Sequence, residues 1–139
     1  MTAVDHAIGA VVGLAAGALG TVVGFDRDRA YYPTIMIVIA AYYVLFAAMA
    51  ADAAGLWGDT GVALVFAAAA IVGFRTSLWL VVAALAAHGA MDLVHGHLVD
   101  NAGVPLWWPG FCSAADIVLA AYLAVLLLLR GEPRRAAAS

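Results

Sequence analysis

The sequence predicts an all-α protein, an integral membrane bundle of five transmembrane helices with its N-terminus outside the cell and its C-terminus inside. Three observations predict this class. Hydrophobic residues make up 67% of the 139 residues and charged residues only 11%, whereas roughly a quarter of a soluble domain is charged. The apolar residues form runs of about 20, the length of a membrane-spanning helix. The arginines all fall in the intervals that a five-span count places on one side of the membrane.

Five apolar runs are bounded by charges or turn signals, and they cover residues 7–25, 33–51, 56–74, 77–94 and 109–129. The third and fourth runs separate at Arg75, because one helix over residues 61–99 would be about 58 Å long, against a hydrocarbon layer of about 30 Å. We expect a single transmembrane domain over residues 1–131 and a short cytoplasmic tail over residues 132–139.

The first span carries a strip of glycines spaced by three or four residues. They are Gly9, Gly13, Gly17, Gly20 and Gly24. Small residues at this spacing let another backbone approach closely, which is how helices associate in lipid. The strip is predicted to pack within the chain; the alternative is a homodimer seam through Gly9, Gly13 and Gly17. Thr2 and Asp5, at the start of the span, fit a capping box.

The remaining spans carry residues that are typical of the ends of membrane helices. Pro33 suits the first turn of the second span, and the Trp107-Trp108 pair suits a membrane interface. The six arginines are Arg27, Arg29, Arg75, Arg130, Arg134 and Arg135. The positive-inside rule makes their side cytoplasmic, so a multi-pass protein of the cytoplasmic (inner) membrane is expected.

The composition also bears on partners. The net charge is −3 and there is no basic stripe, so membrane lipid is the expected partner and nucleic acid is not. The single cysteine, Cys112, excludes an intrachain disulfide and a cysteine-based zinc cluster. No nucleotide cofactor is expected.

The candidate site lies at the outer end of the fourth span. His88, Asp92 and His95 are spaced i, i+4, i+7, which puts them on one face of a continuous helix. Two imidazoles and a carboxylate suit zinc, iron or manganese. A further ligand must come from another span, and Asp116 lies one to two turns from the outer end of the fifth. The sequence therefore predicts a divalent metal held by His88, Asp92, His95 and Asp116.

Structural alternatives exist for the same residues. Ser113 and Asp116 fit a capping box at the start of the fifth span. Asp92 and His88 are close enough to hydrogen-bond across one turn, and His97, which follows Gly96, is expected in a loop. A functional role is favoured over a structural one for these residues as a group. A charged residue in the middle of a membrane helix raises the free energy of insertion by about 2.5–3.5 kcal/mol on insertion scales.

The C-terminal third resembles a family of small, uncharacterised bacterial membrane proteins. The residues that carry this resemblance are His88-Gly89, Asp92, His95, Pro105, Trp107-Trp108-Pro109, Phe111-Cys112, Asp116 and Tyr122-Leu123. The family pattern is a histidine-glycine and aspartate-histidine helix, an aromatic-proline-phenylalanine-cysteine segment and a further aspartate. The resemblance implies that these residues belong together, and it implies no reaction.

Four functions compete. The first is a metal-dependent membrane enzyme, a hydrolase or isomerase, that acts on a lipid or small apolar substrate with Asp92, His88 and Asp116 as catalytic residues. The second is a metal-free isomerase in which His88 and Asp92 act as acid and base. The third is a small proton-coupled transporter or sensor without catalytic activity, which the lack of an internal repeat disfavours. The fourth is haem ligation by His6 with His88 or His95.

Overall fold

A computed structural model of the chain describes residues 2–133. Its regular structure is helical throughout this range, with a short 3-10 turn at Phe25–Arg27. The helices are α1 (Ala3–Val23), α2 (Tyr31–Met49), α3 (Ala53–Arg75), α4 (Leu78–Asp92), α5 (His95–Leu98) and α6 (Trp108–Arg130). Four of them, α1, α2, α3 and α6, are long and apolar enough to cross a membrane, whereas α4 has 15 residues. The prediction of an all-α protein with membrane-spanning helices is confirmed. Most of the predicted tail, residues 134–139, lies outside the described range.

Local capping sets several helix boundaries. Thr2 and Asp5 form the predicted capping box at the start of α1, and α1 ends at Gly24, whose φ of 89° favours glycine. The predicted break at Arg75 is confirmed, since α3 ends there. Ser77 then caps α4 by accepting a hydrogen bond from the backbone amide of Trp79.

The glycine strip of α1 packs against α6, so the intramolecular prediction describes the structure. A Cβ added to Gly9 would lie 2.0 Å from the carbonyl oxygen of Phe111, and one added to Gly13 would lie 2.6 Å from that of Ala115. Only glycine allows this approach of two helices. The face that includes Gly9, Gly13 and Gly17 therefore lies against α6 within the chain.

Replacing Gly9 with alanine should lower the free energy of unfolding by about 1–3 kcal/mol, because the new methyl group meets backbone atoms that cannot rotate away. Gly61, in the interior of α3, is the matched control because nothing lies within 4 Å of its Cβ position. Gly61→Ala should leave stability unchanged or raise it. Reversible unfolding in mixed micelles would measure both, and equal stabilities of the two variants would contradict the packing.

Four of the arginines mark one end of the bundle, the arginine end. They are Arg27, Arg29, Arg75 and Arg130. The guanidinium of Arg29, 5% exposed, donates to the carbonyl oxygens of Gly73, Phe74 and Thr76 and forms an ion pair of 2.7 Å with Glu132. This one side chain joins the turn after α1, the end of α3 and the end of α6. Arg134 and Arg135 lie outside the described residues.

Successive long helices run in alternating directions between the arginine end and the opposite end of the bundle. That opposite end holds His95 and His97 of α5 and is called the histidine end. Contacts of Gly9 with Phe111 and of Gly17 with Tyr122 make α1 and α6 parallel. The core lies mainly between α2, α4 and α6, and it includes Tyr32, Met36, Leu78, Val81, Leu85, Leu119 and Leu123. α4 ends at Asp92, and α5 and the loop over residues 99–107 connect it to α6.

Candidate metal centre

The site is built on two helices that touch. His88 and Asp92 lie one turn apart at the end of α4, and Cys112 and Asp116 lie one turn apart in the first half of α6. Gly89 brings the two helices together, because a Cβ there would lie 2.9 Å from the carbonyl oxygen of Ser113. The helix contact therefore directs four side chains with metal-ligand chemistry toward one another.

These four side chains form a compact buried group. Each is at most 2% exposed, and each offers a ligand atom within 4.8 Å of the other three. His88 Nδ1 lies 2.6 Å from Asp116 Oδ2 and 3.7 Å from Asp92 Oδ2. The Cys112 thiol lies 4.0 Å from Asp116 Oδ2. A group of one imidazole, two carboxylates and one thiol at this spacing can hold a metal ion.

Three atoms of the group have no hydrogen-bond partner among residues 2–133. They are His88 Nε2, Asp92 Oδ2 and Asp116 Oδ1, and all three are buried. Buried polar atoms are rarely left unpaired, because each then loses its hydration without compensation. All three atoms are of the kind that binds metals or protons. The site thus has unused coordinating capacity.

Tyr43 supports the group from α2. Its hydroxyl donates a hydrogen bond of 2.8 Å to Asp92 Oδ1, and the residue is buried. This bond fixes one oxygen of Asp92 and leaves the other oxygen, Oδ2, to the group. Sequence reasoning missed Tyr43 because 49 residues separate it from Asp92 and a tyrosine in an apolar helix has many uses. It also left Cys112 out of the predicted ligand set.

His95 does not join the group, which corrects the predicted ligand set. α4 ends at Asp92, and the chain turns at residues 93 and 94 before α5 begins at His95, so the i, i+4, i+7 stripe is interrupted. His95 Nε2 instead lies 2.7 Å from Asp59 Oδ1, and Asn101 donates to the other oxygen of Asp59 at 2.6 Å. Tyr43 connects the two groups, since its ring stacks on His95 at 3.9 Å.

Three smaller predictions are also corrected. α6 begins at Trp108, so Ser113 and Asp116 lie inside the helix and do not cap it. His97 lies in α5 and not in a loop. His6 Nδ1 lies 2.9 Å from the carbonyl oxygen of Thr2, four residues earlier on the same chain, while His88 and His95 face carboxylates. The haem hypothesis therefore has no support in these contacts.

The loop beside the site is held by Asp52, which also caps α3. Its carboxylate accepts hydrogen bonds from the backbone amides of Gly55 and Ala102, and these bonds lower the pKa of Asp52 below its ordinary value of 3.8. A carboxyl group whose pKa is lowered by folding stabilises the folded state at pH values above the pKa that the group has in the unfolded chain. That stabilisation is lost as the pH falls through the lowered folded value.

Acidification should therefore loosen the loop. Hydrogen-exchange protection of the Gly55 and Ala102 amides should fall as the pH drops from 6 to below 3.8. In Asp52→Asn the protection should be lower at pH 6 and should change little with acid. Equal pH dependence of wild type and variant would show that Asp52 does not hold this loop.

Comparison of the chain with protein-family models, curated proteins and solved structures gave no match. The resemblance to a family of small bacterial membrane proteins therefore stays a prediction.

Proposed function

We propose that the protein is a membrane enzyme that uses one divalent metal ion, held by His88, Asp92, Cys112 and Asp116, to act on a lipid or small apolar substrate. The observation that carries this proposal is the convergence of four buried side chains whose ligand atoms lie within 4.8 Å of one another. Two carboxylate oxygens of this group, Asp92 Oδ2 and Asp116 Oδ1, have no hydrogen-bond partner among residues 2–133. A cation is the simplest partner for two buried carboxylates and an imidazole.

The chemistry of the four ligand side chains limits which metal ion the site would bind. A thiolate is a soft ligand that suits zinc or iron, while manganese prefers oxygen ligands alone. We therefore favour zinc or iron among the three candidate metals. Such an ion would polarise a substrate oxygen or lower the pKa of a water. Tyr43 would hold Asp92 in place, and a carboxylate oxygen of Asp92 or Asp116 would accept or return the proton.

The substrate class is supported by an apolar cavity beside the site. It has a volume of about 300 Å³ and lies between α1, α2 and α6. Cys112 forms part of its wall, so the cavity reaches one of the four candidate ligands. The other lining residues include Val12, Ile35, Ile39, Tyr42, Trp108 and Phe111. The indole nitrogen of Trp108, another lining residue, is buried without a hydrogen-bond partner in the described range. These features favour a substrate that enters from the lipid.

We further propose that the chain crosses the cytoplasmic membrane five times, with its N-terminus outside and its C-terminus inside. Support comes from the alternating helix directions and from α4 and α5, which together cover residues 78–98, a length of about 30 Å if helical. The described arginines all lie at one end, which the positive-inside rule assigns to the cytoplasm. The site at the histidine end would then face the outer leaflet.

A second candidate is the metal-free isomerase, in which His88 exchanges protons with a buried carboxylate. It is favoured by the 2.6 Å separation of His88 Nδ1 and Asp116 Oδ2, which is a hydrogen-bond distance. Two ligands of one tetrahedral ion are farther apart, at about 3.3 Å. Metal binding would therefore require Asp116 to present Oδ1, the oxygen without a partner.

Metal analysis separates the two candidates. Protein purified without chelator should contain close to one zinc or iron per chain by inductively coupled plasma mass spectrometry, and His88→Ala should contain none. His97→Ala is the matched control because His97 is exposed and lies outside the group. Metal-free wild type, or equal metal in wild type and His88→Ala, would reject the metal enzyme and leave the isomerase.

Tyr43→Phe should weaken metal affinity by about 10- to 100-fold, the range found for residues that orient a ligand. The loss follows because Asp92 would no longer be fixed by the Tyr43 hydroxyl. Titration with a competing chelator would measure it. Tyr42→Phe, which removes the neighbouring hydroxyl, should keep wild-type affinity; equal affinities of all three proteins would argue against the positioning role.

A further inference from the structure

A cleft at the arginine end lies far from the candidate metal centre. It has a volume of about 210 Å³ and is formed by the turn after α1, the first turns of α2 and α4, and the end of α6. The apolar part of its lining, the leucine wall, consists of Leu78, Leu123, Leu126 and Leu127. The polar part of its lining consists of Asp26, Arg27, Tyr32, Arg130 and Glu132. The cleft therefore combines the chemistry of a membrane interior with that of its surface.

Two buried polar atoms of the cleft have no hydrogen-bond partner within residues 2–133. They are the Tyr32 hydroxyl and Asp26 Oδ1, on residues that are 2% and 8% exposed. The other oxygen of Asp26 accepts hydrogen bonds from Thr21 at 2.8 Å and Arg130 at 3.2 Å. A carboxylate oxygen can only accept, so the ligand that completes Asp26 must carry a donor.

The charges of the cleft favour a phosphate group. Arg27 and Arg130 bring two positive charges and Asp26 brings one negative charge, while Glu132 is neutralised by its ion pair with Arg29. One positive charge is left in excess. Guanidinium groups bind phosphate oxygens well. A ligand with a phosphate and a nearby hydrogen-bond donor satisfies both the arginines and Asp26.

The position of the cleft identifies the source of such a ligand. α1 and α6 are membrane-length helices, and they end at Val23 and Arg130, beside the cleft. Lipid headgroups lie at this level, and the leucine wall suits the first carbons of the acyl chains. We propose that the cleft binds a phospholipid headgroup with a hydrogen-bond donor, and that the lipid is phosphatidylethanolamine. Its phosphate would contact Arg27 and Arg130 and accept a hydrogen bond from the Tyr32 hydroxyl, and its ammonium group would donate to Asp26 Oδ1.

Phosphatidylcholine is the matched control ligand, because its phosphate is the same and its methylated nitrogen has no donor. Purified protein would be exchanged into micelles with either lipid, with identical acyl chains, and bound lipid would be counted by native mass spectrometry. Wild type should retain phosphatidylethanolamine about 10-fold better, the effect of one hydrogen bond to a charged group. Equal retention of the two lipids would overturn the proposal.

Two conservative variants test the residues. Tyr32→Phe should lower retention of both lipids, and without lipid it should unfold no more easily than wild type because the hydroxyl has no partner to lose. Tyr31→Phe is its control, since the Tyr31 hydroxyl bonds to the Ala16 carbonyl and does not line the cleft. Unchanged retention in Tyr32→Phe would overturn the assignment. Displacement of the lipid by equimolar glycerophosphoethanolamine would overturn a lipid as the source.

Discussion

Wild-type protein loaded with cobalt should show a near-ultraviolet thiolate-to-metal charge-transfer band, and Cys112→Ser should lack it. Cys112 is the only cysteine of the chain, so the band has a single possible origin. The thiol is buried and within reach of the other three ligand atoms. The visible bands of cobalt should also be intense, as a four-coordinate site requires.

The same substitution should lower zinc affinity by more than about 100-fold, or about 2.7 kcal/mol, because losing a ligand costs more than losing a residue that only orients one. Ser113→Ala is the matched control: it changes the neighbouring small residue of α6, which is not among the ligand residues. A cobalt-loaded wild type without the band would remove Cys112 from the site. Zinc affinity unchanged in Cys112→Ser would do the same.

Part of the site was predictable because it depends on local geometry. His88 and Asp92 share a helix face at i, i+4, and that spacing holds as long as α4 is helical. Asp116 was predicted to join them from the last span, and it lies 2.6 Å from His88. The break at Arg75 was predictable because a single helix would have exceeded the thickness of the membrane.

The position of His95 was not predictable, because α4 ends for a reason that lies elsewhere in the chain. No proline or glycine marks the turn at residues 93 and 94. His95 is held by Asp59, which is 36 residues away in α3. A buried histidine and carboxylate form a stronger pair than one more backbone hydrogen bond, so the tertiary contact prevails over continuation of the helix.

The packing of the helices was also beyond sequence reasoning. In a soluble bundle the apolar stripe marks the buried face, but in lipid both faces are apolar. Leu85 is fully buried and Leu64 is 65% exposed, although both residues are leucines. In a membrane bundle, only an unusual sequence pattern indicates which face of a helix is buried. The glycine strip of α1 is such a pattern. Tyr43 and Asn101 gave no such signal, and so their contacts with Asp92 and Asp59 appear only in the structure.

Replacing Arg29 with leucine should lower the free energy of unfolding by about 2–3 kcal/mol, because a buried guanidinium that makes several charge-assisted hydrogen bonds and pairs with the partly exposed Glu132 is lost. The guanidinium donates to three carbonyl oxygens near the end of α3 and to Glu132, and leucine replaces none of these bonds. Arg29→Lys should recover only part of the loss, because an ammonium cannot reproduce the planar fork.

Arg75→Leu is the control for Arg29, since Arg75 lies at the same end of the bundle and is exposed. It should change stability by less than about 0.5 kcal/mol. Unfolding in mixed micelles would compare the three variants with wild type, and an Arg29→Leu protein as stable as Arg75→Leu would contradict the role of Arg29. Because Arg29 acts at the arginine end and the metal ligands lie toward the histidine end, folded Arg29→Leu should still bind one metal ion with wild-type affinity. Loss of both stability and metal binding would instead mean that the two ends of the bundle unfold as one unit. The two measurements together therefore show whether Arg29 stabilises only the arginine end or the whole bundle.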